Sequence, residues 1–265
     1  MIPMANTLTI VALLILSFLL PVVVWFFVWR KTKASIVNLL IGMGIFFVCY
    51  CIAIATSYLG SMIITSPIVL TLLLSLRAGL VEEFGRFVAF KWLLKRYRKI
   101  NDGIMYGIGH GGMEILLVYT LAMVNNLVFI FMVNTGSIDL LIAMAPEQGE
   151  AIYDAVDALA TSSPLALSVG LFERISTLIL HVSLSVIVFC AVRQRRWPYL
   201  VLAITLHTLT NCSITLLITG TISLPALEGI IFAMSLLTAF IAWRIAKSYR
   251  LPVVVEQSEA VALSE

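Results

Sequence analysis

Ionisable side chains stand close together in sequence inside several strongly apolar stretches of this chain. The segments that carry them are VEEFGR with Glu82, Glu83 and Arg86, GIGHGGMEI with His110 and Glu114, and LHTLTN with His207 and Asn211. A carboxylate can take a proton from water, and an imidazole can bind a metal or polarise a carbonyl. Amide and imidazole N–H groups can stabilise an oxyanion. These residue types are therefore equipped to hydrolyse a peptide bond in apolar surroundings.

The spacing within VEEFGR leaves two ion pairs open. On a helix, Glu82 and Arg86 are four residues apart and Glu83 and Arg86 are three apart, so either glutamate can pair with the arginine. Whichever glutamate is not paired is then free to activate water. The motif could instead be a structural ion pair that fixes helix packing.

The other ionisable pairs extend the candidate site. His110 and Glu114 lie one turn apart, so the glutamate can orient the imidazole or share a metal with it. Glu173 and His181 lie on roughly the same helix face, about 12 Å apart along the axis. His110, His181 and His207 are the predicted metal ligands, and Glu114, Glu173 and His181 are predicted to support the catalytic groups. Each pair could instead serve as a polar contact between helices.

The segments that carry these residues are long and apolar enough to cross a lipid bilayer. The 265 residues are 61% hydrophobic and 12% charged, with a mean hydropathy of +1.07, far outside the range of soluble domains. Seven runs reach the ~20 residues that a spanning helix needs. They cover roughly Asn6–Trp29, Ser35–Thr56, Pro67–Phe90, Asp102–Val133, Pro164–Val192, Tyr199–Ile218 and Leu224–Ile245. The sequence predicts an all-α, polytopic transmembrane helix bundle in a prokaryotic plasma membrane.

Basic residues predict the orientation of this bundle. Of the 17 Lys and Arg residues, 14 follow the first, third, fifth or seventh run, and the loops on the opposite side contain none. The positive-inside rule then places the N-terminus outside and the C-terminus in the cytoplasm. The net charge of +3 thus reflects orientation in membrane lipid, and it gives no support for nucleic-acid binding.

The chain reads as one membrane domain over residues 1–251, without an internal repeat, followed by a polar cytoplasmic tail over residues 252–265. Its longest external loop, Asn134–Ser163, is acidic. Within this loop, the periodicity of Pro146–Ala160 predicts a short helix at the outer membrane surface. A solvated acidic loop is the alternative interpretation.

Burying charge at bilayer depth costs about 2.5–3.5 kcal/mol per residue on insertion scales. Ten groups are predicted to lie there, namely Glu82, Glu83, Glu114, Glu173, Arg77, Arg86, Arg174, His110, His181 and His207. They must face one another or a wet cavity. With neutral histidines the carboxylates exceed the guanidiniums by one charge, which a shared proton or a bound cation would balance.

The positions of these groups along their helices favour a shared site. The VEEFGR glutamates and the three histidines lie about 12–18 Å from the predicted cytoplasmic ends of their helices, so they should meet in one layer. Gly103, Gly107 and Gly111 form a small-xxx-small stripe that allows another helix to approach closely beside His110.

The order of these motifs resembles that of the CPBP/Abi family of CAAX prenyl endopeptidase-like intramembrane proteases. The matching residues are Glu82-Glu83 with Arg86, Tyr106 to His110, and His207 to Asn211. The spacing EExxR is one residue shorter than the EExxxR of that family, so Glu82 is expected to pair best with Arg86, which leaves Glu83 as the base. Tyr106 stands where phenylalanine is usual. The stretch GxGHGGxE, Gly107 to Glu114, is more similar to the YhfC family of intramembrane metalloproteases. The resemblance covers about residues 77–217.

The two resemblances imply different cofactors. CPBP proteases are glutamate-dependent and need no metal, whereas the YhfC family implies one, for which zinc is the expected ion. We therefore predict an intramembrane endopeptidase that acts on membrane-associated proteins or peptides. Glu83 or Glu82 would activate water, with Arg86 positioning the glutamate pair. His110 and His207 would bind the metal or stabilise the oxyanion, assisted by Asn211.

Two other functional classes fit the same residues. Glu and His side chains also form relays in proton- or cation-coupled transporters, although the absence of an inverted repeat argues against that class. A non-catalytic membrane immunity or scaffold protein is the third possibility.

Overall fold

Helices make up almost all of the chain. A computed structural model describes residues 1–249, and this range contains no strand. The helices are α1 Met4–Thr32, α2 Ile36–Ile63, α3 Pro67–Val88, α4 Ile100–Glu114, α5 Leu121–Thr135, α6 Ile138–Met144, α7 Gly149–Thr161, α8 Pro164–Arg193, α9 Trp197–Cys212, α10 Ile214–Ile218 and α11 Leu224–Ser248. The predicted all-α fold is confirmed.

Six segments within residues 1–249 are long and apolar enough to span a membrane. They are α1, α2, α8, α11, the continuous run Ile100–Thr135 through α4 and α5, and Trp197–Ile218 through α9 and α10. The seventh predicted span corresponds to α3, which is long but carries four charged residues of the candidate site. The protein is therefore a polytopic membrane protein. Its orientation and its single-domain organisation remain predictions, and the predicted tail over residues 252–265 lies outside the described residues.

Helix α8 forms the centre of the bundle. Its most apolar stretch is 78% buried, whereas the corresponding stretches of the other spans are 17–28% buried. The largest hydrophobic core includes Leu184, Ile187 and Phe189 of α8, packed with Phe90 and Tyr106. Because α8 is apolar on all sides and surrounded by other helices, any polar group on it must find a partner inside the protein.

The glycine stripe of α4 faces α8. A Cβ atom added at Gly107 would lie 2.6 Å from Val182 Cα, and one at Gly111 would lie 3.0 Å from the Cβ of His181. Any larger side chain would push the two helices apart. The predicted close approach is confirmed, and it takes place beside His181.

The remaining glycines of GIGHGGMEI lie against two other helices. A Cβ at Gly109 would collide with the backbone carbonyl of Leu39 in α2, and one at Gly112 would lie 2.9 Å from Pro21 Cβ in α1. The motif thus brings three neighbouring helices onto α4 within two turns.

Two short π-helical segments follow the helices that carry site residues. Ala89–Leu93 continues α3 after Arg86, and Ile115–Thr120 continues α4 after Glu114. Each adds a wider turn that changes which face the following residues present, and such segments are frequent at functional sites.

The helix predicted in the long acidic loop is present as α7. It buries Ile152 and Leu159. Asn6 Nδ2 donates hydrogen bonds to the carbonyl oxygens of Leu159, at 2.8 Å, and of the C-cap residue Ser162, at 3.0 Å. These bonds join α7 to the start of α1. The predicted helix is therefore confirmed, and the alternative of a solvated loop does not describe this segment.

Candidate functional site

Three helices bring one carboxylate and two imidazoles together. Glu82 on α3, His181 on α8 and His207 on α9 each offer a ligand atom, and these atoms all lie within 4.8 Å of one another. Both histidines are buried, and Glu82 is half-buried. We call these three residues the EHH cluster.

Glu83 lies behind the EHH cluster and is fully buried. It forms an ion pair with Arg86 Nη1, and its Oε1 lies 2.7 Å from His207 Nδ1. Because an ionised carboxylate can only accept hydrogen bonds, His207 Nδ1 carries the proton. The other ring nitrogen, Nε2, is then left for a ligand.

This arrangement corrects the expected ion pair. Glu82 Oε2 lies 3.9 Å from Arg86 Nη2, whereas Glu83 makes the direct contact with the guanidinium. The i,i+3 pairing prevails because Glu83 points into the bundle, where α9 supplies His207 as a second partner. Glu82, and not Glu83, is thus the carboxylate left available for chemistry.

His181 is held from both sides. Its Nδ1 contacts Arg86 Nη2, and its Nε2 contacts Glu114 Oε2. A guanidinium only donates, so Nδ1 accepts and the proton of the neutral ring lies on Nε2, facing Glu114. Glu114 therefore orients the imidazole of His181 on the neighbouring helix, in place of the expected partner His110 on its own helix.

His110 is fully buried beside the EHH cluster, outside the three-residue group. Its Nε2 lies 3.1 Å from Glu82 Oε2, and its ring packs edge-on against Phe46 and stacks on Tyr106. Glu82 takes the place expected for His110 in this group, while the three-histidine ligand set itself stays a prediction. His110 instead positions Glu82.

A cavity of about 390 Å³ opens onto the EHH cluster. Its polar wall includes Arg77, Glu82, Glu114, Glu173, His181, His207 and Asn211. The Glu82 side chain is 15% exposed, whereas Glu83 and His110 have no exposed side-chain surface. A molecule in this cavity would therefore meet Glu82 and would not reach Glu83.

Two further predicted residues differ in what they contact. Asn211 lies on the cavity wall, on the same helix as His207 and one turn beyond it. Glu173 also reaches the wall, but it forms an ion pair with Arg174 on its own helix. Glu173 thus forms an ion pair with its neighbour in sequence and not a contact with His181.

Two buried acids, Asp102 and Glu228, were not among the ionisable residues predicted to lie at bilayer depth. Asp102 accepts hydrogen bonds from Asn38 Nδ2 at 3.0 Å and from Lys99 N at 2.9 Å. Glu228 lies in the second turn of α11, is 5% exposed, and its Oε2 has no hydrogen-bond partner within the described residues. Its place inside the last apolar run, in LPALEGII, was the signal that could have identified it.

The sequence model of the YhfC intramembrane metalloprotease family matches residues 16–232. The match includes every residue of the EHH cluster and all of their polar partners. The chain belongs to the YhfC family. It is 30% identical over an alignment of 229 positions to a Bacillus subtilis (strain 168) protein named "Uncharacterized membrane protein YhfC". The alignment covers 83% of this chain and 88% of that protein. No solved structure matches the chain.

The YhfC resemblance seen in GxGHGGxE is thus confirmed, while the similarity to the CPBP/Abi proteases remains a prediction from motif order. The metal that the YhfC family name implies fits the residues present. Two imidazoles and one carboxylate form a donor set typical of catalytic zinc sites. In addition, His207 contacts Glu83 through Nδ1 and His181 contacts Glu114 through Nε2, and such contacts fix the ring of a metal ligand. His207 Nε2 is free for a metal, whereas His181 Nδ1 would have to exchange its Arg86 donor for one.

Proposed function

We propose that this protein is an intramembrane endopeptidase that hydrolyses peptide bonds of membrane-associated proteins. The observation that carries the proposal is the EHH cluster, which offers three ligand atoms within 4.8 Å on a cavity inside a membrane-spanning bundle. Membership of a family named for intramembrane metalloproteases supports the same conclusion.

The site contains residues that would bind the metal or contact the substrate, and residues that orient these side chains. Glu82, His181 and His207 would hold a metal ion, zinc being the expected one. Such an ion, when bound, lowers the pKa of a coordinated water and polarises a carbonyl. Glu83 orients His207, Glu114 orients His181, and His110 restrains Glu82. Without a metal, Glu82 itself would take the proton from water, because it is the glutamate of VEEFGR that faces the cavity.

Asn211 supplies a further polar group at the cavity. Its amide N–H can donate to the oxyanion that forms when water adds to a carbonyl. Its position one helical turn from His207 places both side chains along one wall of the cavity. We therefore assign it the role of oxyanion donor.

Metal analysis tests the site directly. The protein would be purified in mild detergent without a histidine tag, and its bound zinc and other transition metals quantified. We expect about one metal per chain, lost in a His181→Ala/His207→Ala variant and retained in Glu173→Gln, a control on the same cavity wall that pairs with Arg174. If the wild type holds no metal, the glutamate-dependent mechanism with Glu82 as base replaces the metal-dependent one.

Substrate cleavage tests the activity itself. Because the substrates are unknown, new N-termini of membrane proteins would be compared between cells that express the wild type and cells that express Glu82→Gln. Cleavage products found only with the wild type are expected. Identical N-termini in the two cell lines would contradict the proposal.

One observation favours proton transfer as a second candidate function. The contacts Glu83–His207, His181–Glu114 and Glu82–His110 are three carboxylate–imidazole pairs within one layer, as a proton relay requires. Proton flux into proteoliposomes that depends on His181 would favour a coupled transporter, whereas we expect none.

A further inference from the structure

A second cavity, of about 670 Å³, lies at the end of the bundle where α3, α8 and α11 finish and α9 begins. It shares no lining residue with the cavity at the EHH cluster. Its wall carries the basic side chains Lys91, Lys95, Arg98, Arg193 and Arg195, and none of the described residues that line it is acidic. The proposed peptidase chemistry makes no use of this basic cavity.

Arg193 already forms hydrogen bonds that stabilise the fold. Arg193 Nη2 donates to the carbonyl oxygens of Leu94 and Tyr97, each at 2.7 Å. These bonds join the end of α8 to the segment between α3 and α4. Within residues 1–249 the other four basic residues take part in no ion pair, so their charges remain available for a ligand.

Arg195 has a backbone conformation that an arginine adopts only at a cost. It has φ 56°, in the left-handed region, at the position after the C-cap of α8. The bonds from Arg196 N to Ala191 O at 2.9 Å and from Arg195 N to Val192 O at 3.4 Å form a Schellman turn, where glycine is usual. The chain thus places a cation on the cavity wall at a position where glycine would be less strained.

Aromatic and aliphatic side chains give the cavity an amphipathic wall. Trp197, which is exposed, and Phe87 line it together with Ala191 and Val192. Tryptophan prefers the headgroup level of a membrane, where its ring is partly in lipid and partly in water. A ligand with both an anionic group and apolar chains suits such a wall better than a small soluble anion.

The location of the cavity is also consistent with a ligand that has an anionic group and apolar chains. It lies at the end of the bundle that holds the basic residues, and the positive-inside rule assigns that end to the cytoplasm. Basic pockets between transmembrane helices on that side bind anionic lipid headgroups. The volume also falls within the ~300–1,000 Å³ that is usual for ligand sites.

We propose that the basic cavity binds the phosphate-bearing headgroup of an anionic phospholipid, with Lys91, Lys95 and Arg195 as its principal cationic contacts. This site is separate from the EHH cluster. Lipid binding at this site therefore does not depend on the peptidase activity, and the two are tested separately.

Lipid binding by the purified full-length protein tests the proposal. Phosphatidylglycerol and phosphatidylcholine would be titrated into detergent-solubilised protein, with native mass spectrometry used to count bound lipids. A Lys91→Gln/Lys95→Gln/Arg195→Gly variant is expected to bind phosphatidylglycerol at least about tenfold more weakly, because each basic residue near a lipid surface contributes to binding. The matched control is Arg30→Gln/Lys31→Gln/Arg244→Gln, which removes three charges at the same end of the bundle but outside the cavity, and it should bind as the wild type does.

The single variant Arg195→Gly separates ligand binding from folding. Without lipid its melting temperature should equal or exceed that of the wild type, since glycine relieves the left-handed strain. The rise in melting temperature on adding phosphatidylglycerol should nevertheless be smaller. Equal lipid affinity in the triple variant and its control would overturn the proposal, as would equal protection of the wild type by inorganic phosphate, which would indicate a soluble anion.

Discussion

Glu82 and Glu83 are neighbours in the sequence, yet their carboxylates lie in different surroundings. Successive residues of a helix point about 100° apart, so only one of the two can face the centre of the bundle directly. Glu83 does so, and it is fully buried between Arg86 and His207. Glu82 reaches the cavity and keeps His110 as its neighbour. Glu83 is thus placed to orient its neighbours, and the proposed role of reacting with a substrate falls to Glu82.

Substitution by glutamine should distinguish these two roles. In Glu82→Gln we expect cleavage to fall at least about 100-fold, as for loss of an acid–base group, with little change in thermal stability. In Glu83→Gln, Arg86 would lose the carboxylate in direct contact with it and keep only Glu82 at 3.9 Å, so we expect a loss of up to about 3–5 kcal/mol in folding stability. Thermal melting in detergent and a cleavage assay measure both effects. A stable Glu83→Gln beside an unfolded Glu82→Gln would reverse the assignment.

Metal affinity should depend on the carboxylate behind His181. Glu114→Gln weakens the group that orients this imidazole, so we expect affinity to fall about 10–100-fold without loss of a ligand. The matched control is Glu173→Gln, which changes an acid on the same cavity wall that pairs with Arg174 and not with a histidine. Competition with a chelator measures both. Equal affinities in the two variants would count against the role of Glu114.

At the scale of elements, the glycines of GIGHGGMEI explain how ionisable groups come to lie in so apolar a segment. Gly107 and Gly111 bring α8 against α4, so that His181 lies beside His110 with ring centroids 5.3 Å apart. On the other side, Gly109 brings in α2. Close helix contact excludes lipid from the polar groups and lets them bond to one another.

This packing predicts the effect of a single methyl group. Gly107→Ala would force the backbones of α4 and α8 apart at Val182, and we expect a loss of about 1–3 kcal/mol, as for an overpacked core. Gly44→Ala in α2 is the matched control, because a Cβ there meets no atom within 4 Å. The control should be neutral or stabilised by up to about 1 kcal/mol, since alanine favours a helix. Melting temperatures compare the two variants, and equal losses would mean that the stripe does not set the helix spacing.

At the scale of the whole molecule, the site requires a bundle closed around α8. Helix α3 carries four charged residues, and three of them, Glu82, Glu83 and Arg86, meet histidines on α4, α9 and α8. Apart from Asp102 in the first turn of α4, the helices described within residues 1–249 bury or half-bury five carboxylates, namely Glu82, Glu83, Glu114, Glu173 and Glu228, against the guanidiniums of Arg77, Arg86 and Arg174. A divalent cation would balance this excess when the carboxylates are ionised and the histidines neutral.

The orientation of the bundle is testable by cysteine labelling. Asp157→Cys places a thiol on the exposed face of α7, and Arg196→Cys places one in the exposed turn between α8 and α9. With the N-terminus outside, a membrane-impermeant maleimide should label Asp157→Cys in intact cells and Arg196→Cys only after lysis. The wild type reports the background from the four native cysteines. Labelling in the opposite order would contradict the positive-inside assignment.

The sequence by itself determined the helical architecture and most members of the site. Apolar run length and helical periodicity are local properties, so the seven long helices and α7 could be predicted, with α2 extending further, to Ile63, than the expected Thr56. The shared depth of the ionisable residues was predictable from residue counts along each helix. Glu82, His181 and His207 were all singled out in this way.

Only the tertiary structure decided which of these residues meet. Arg86 and His181 are 95 residues apart in the chain, and Glu83 and His207 are 124 apart, so their contacts depend on how whole helices rotate against one another. Sequence spacing favours partners on the same helix, which is why it paired Glu82 with Arg86 and His110 with Glu114. Packing of α3, α4 and α9 around α8 supplied stronger partners across helices, because a buried charge in a membrane bundle is stabilised by every polar group that neighbouring helices can offer it.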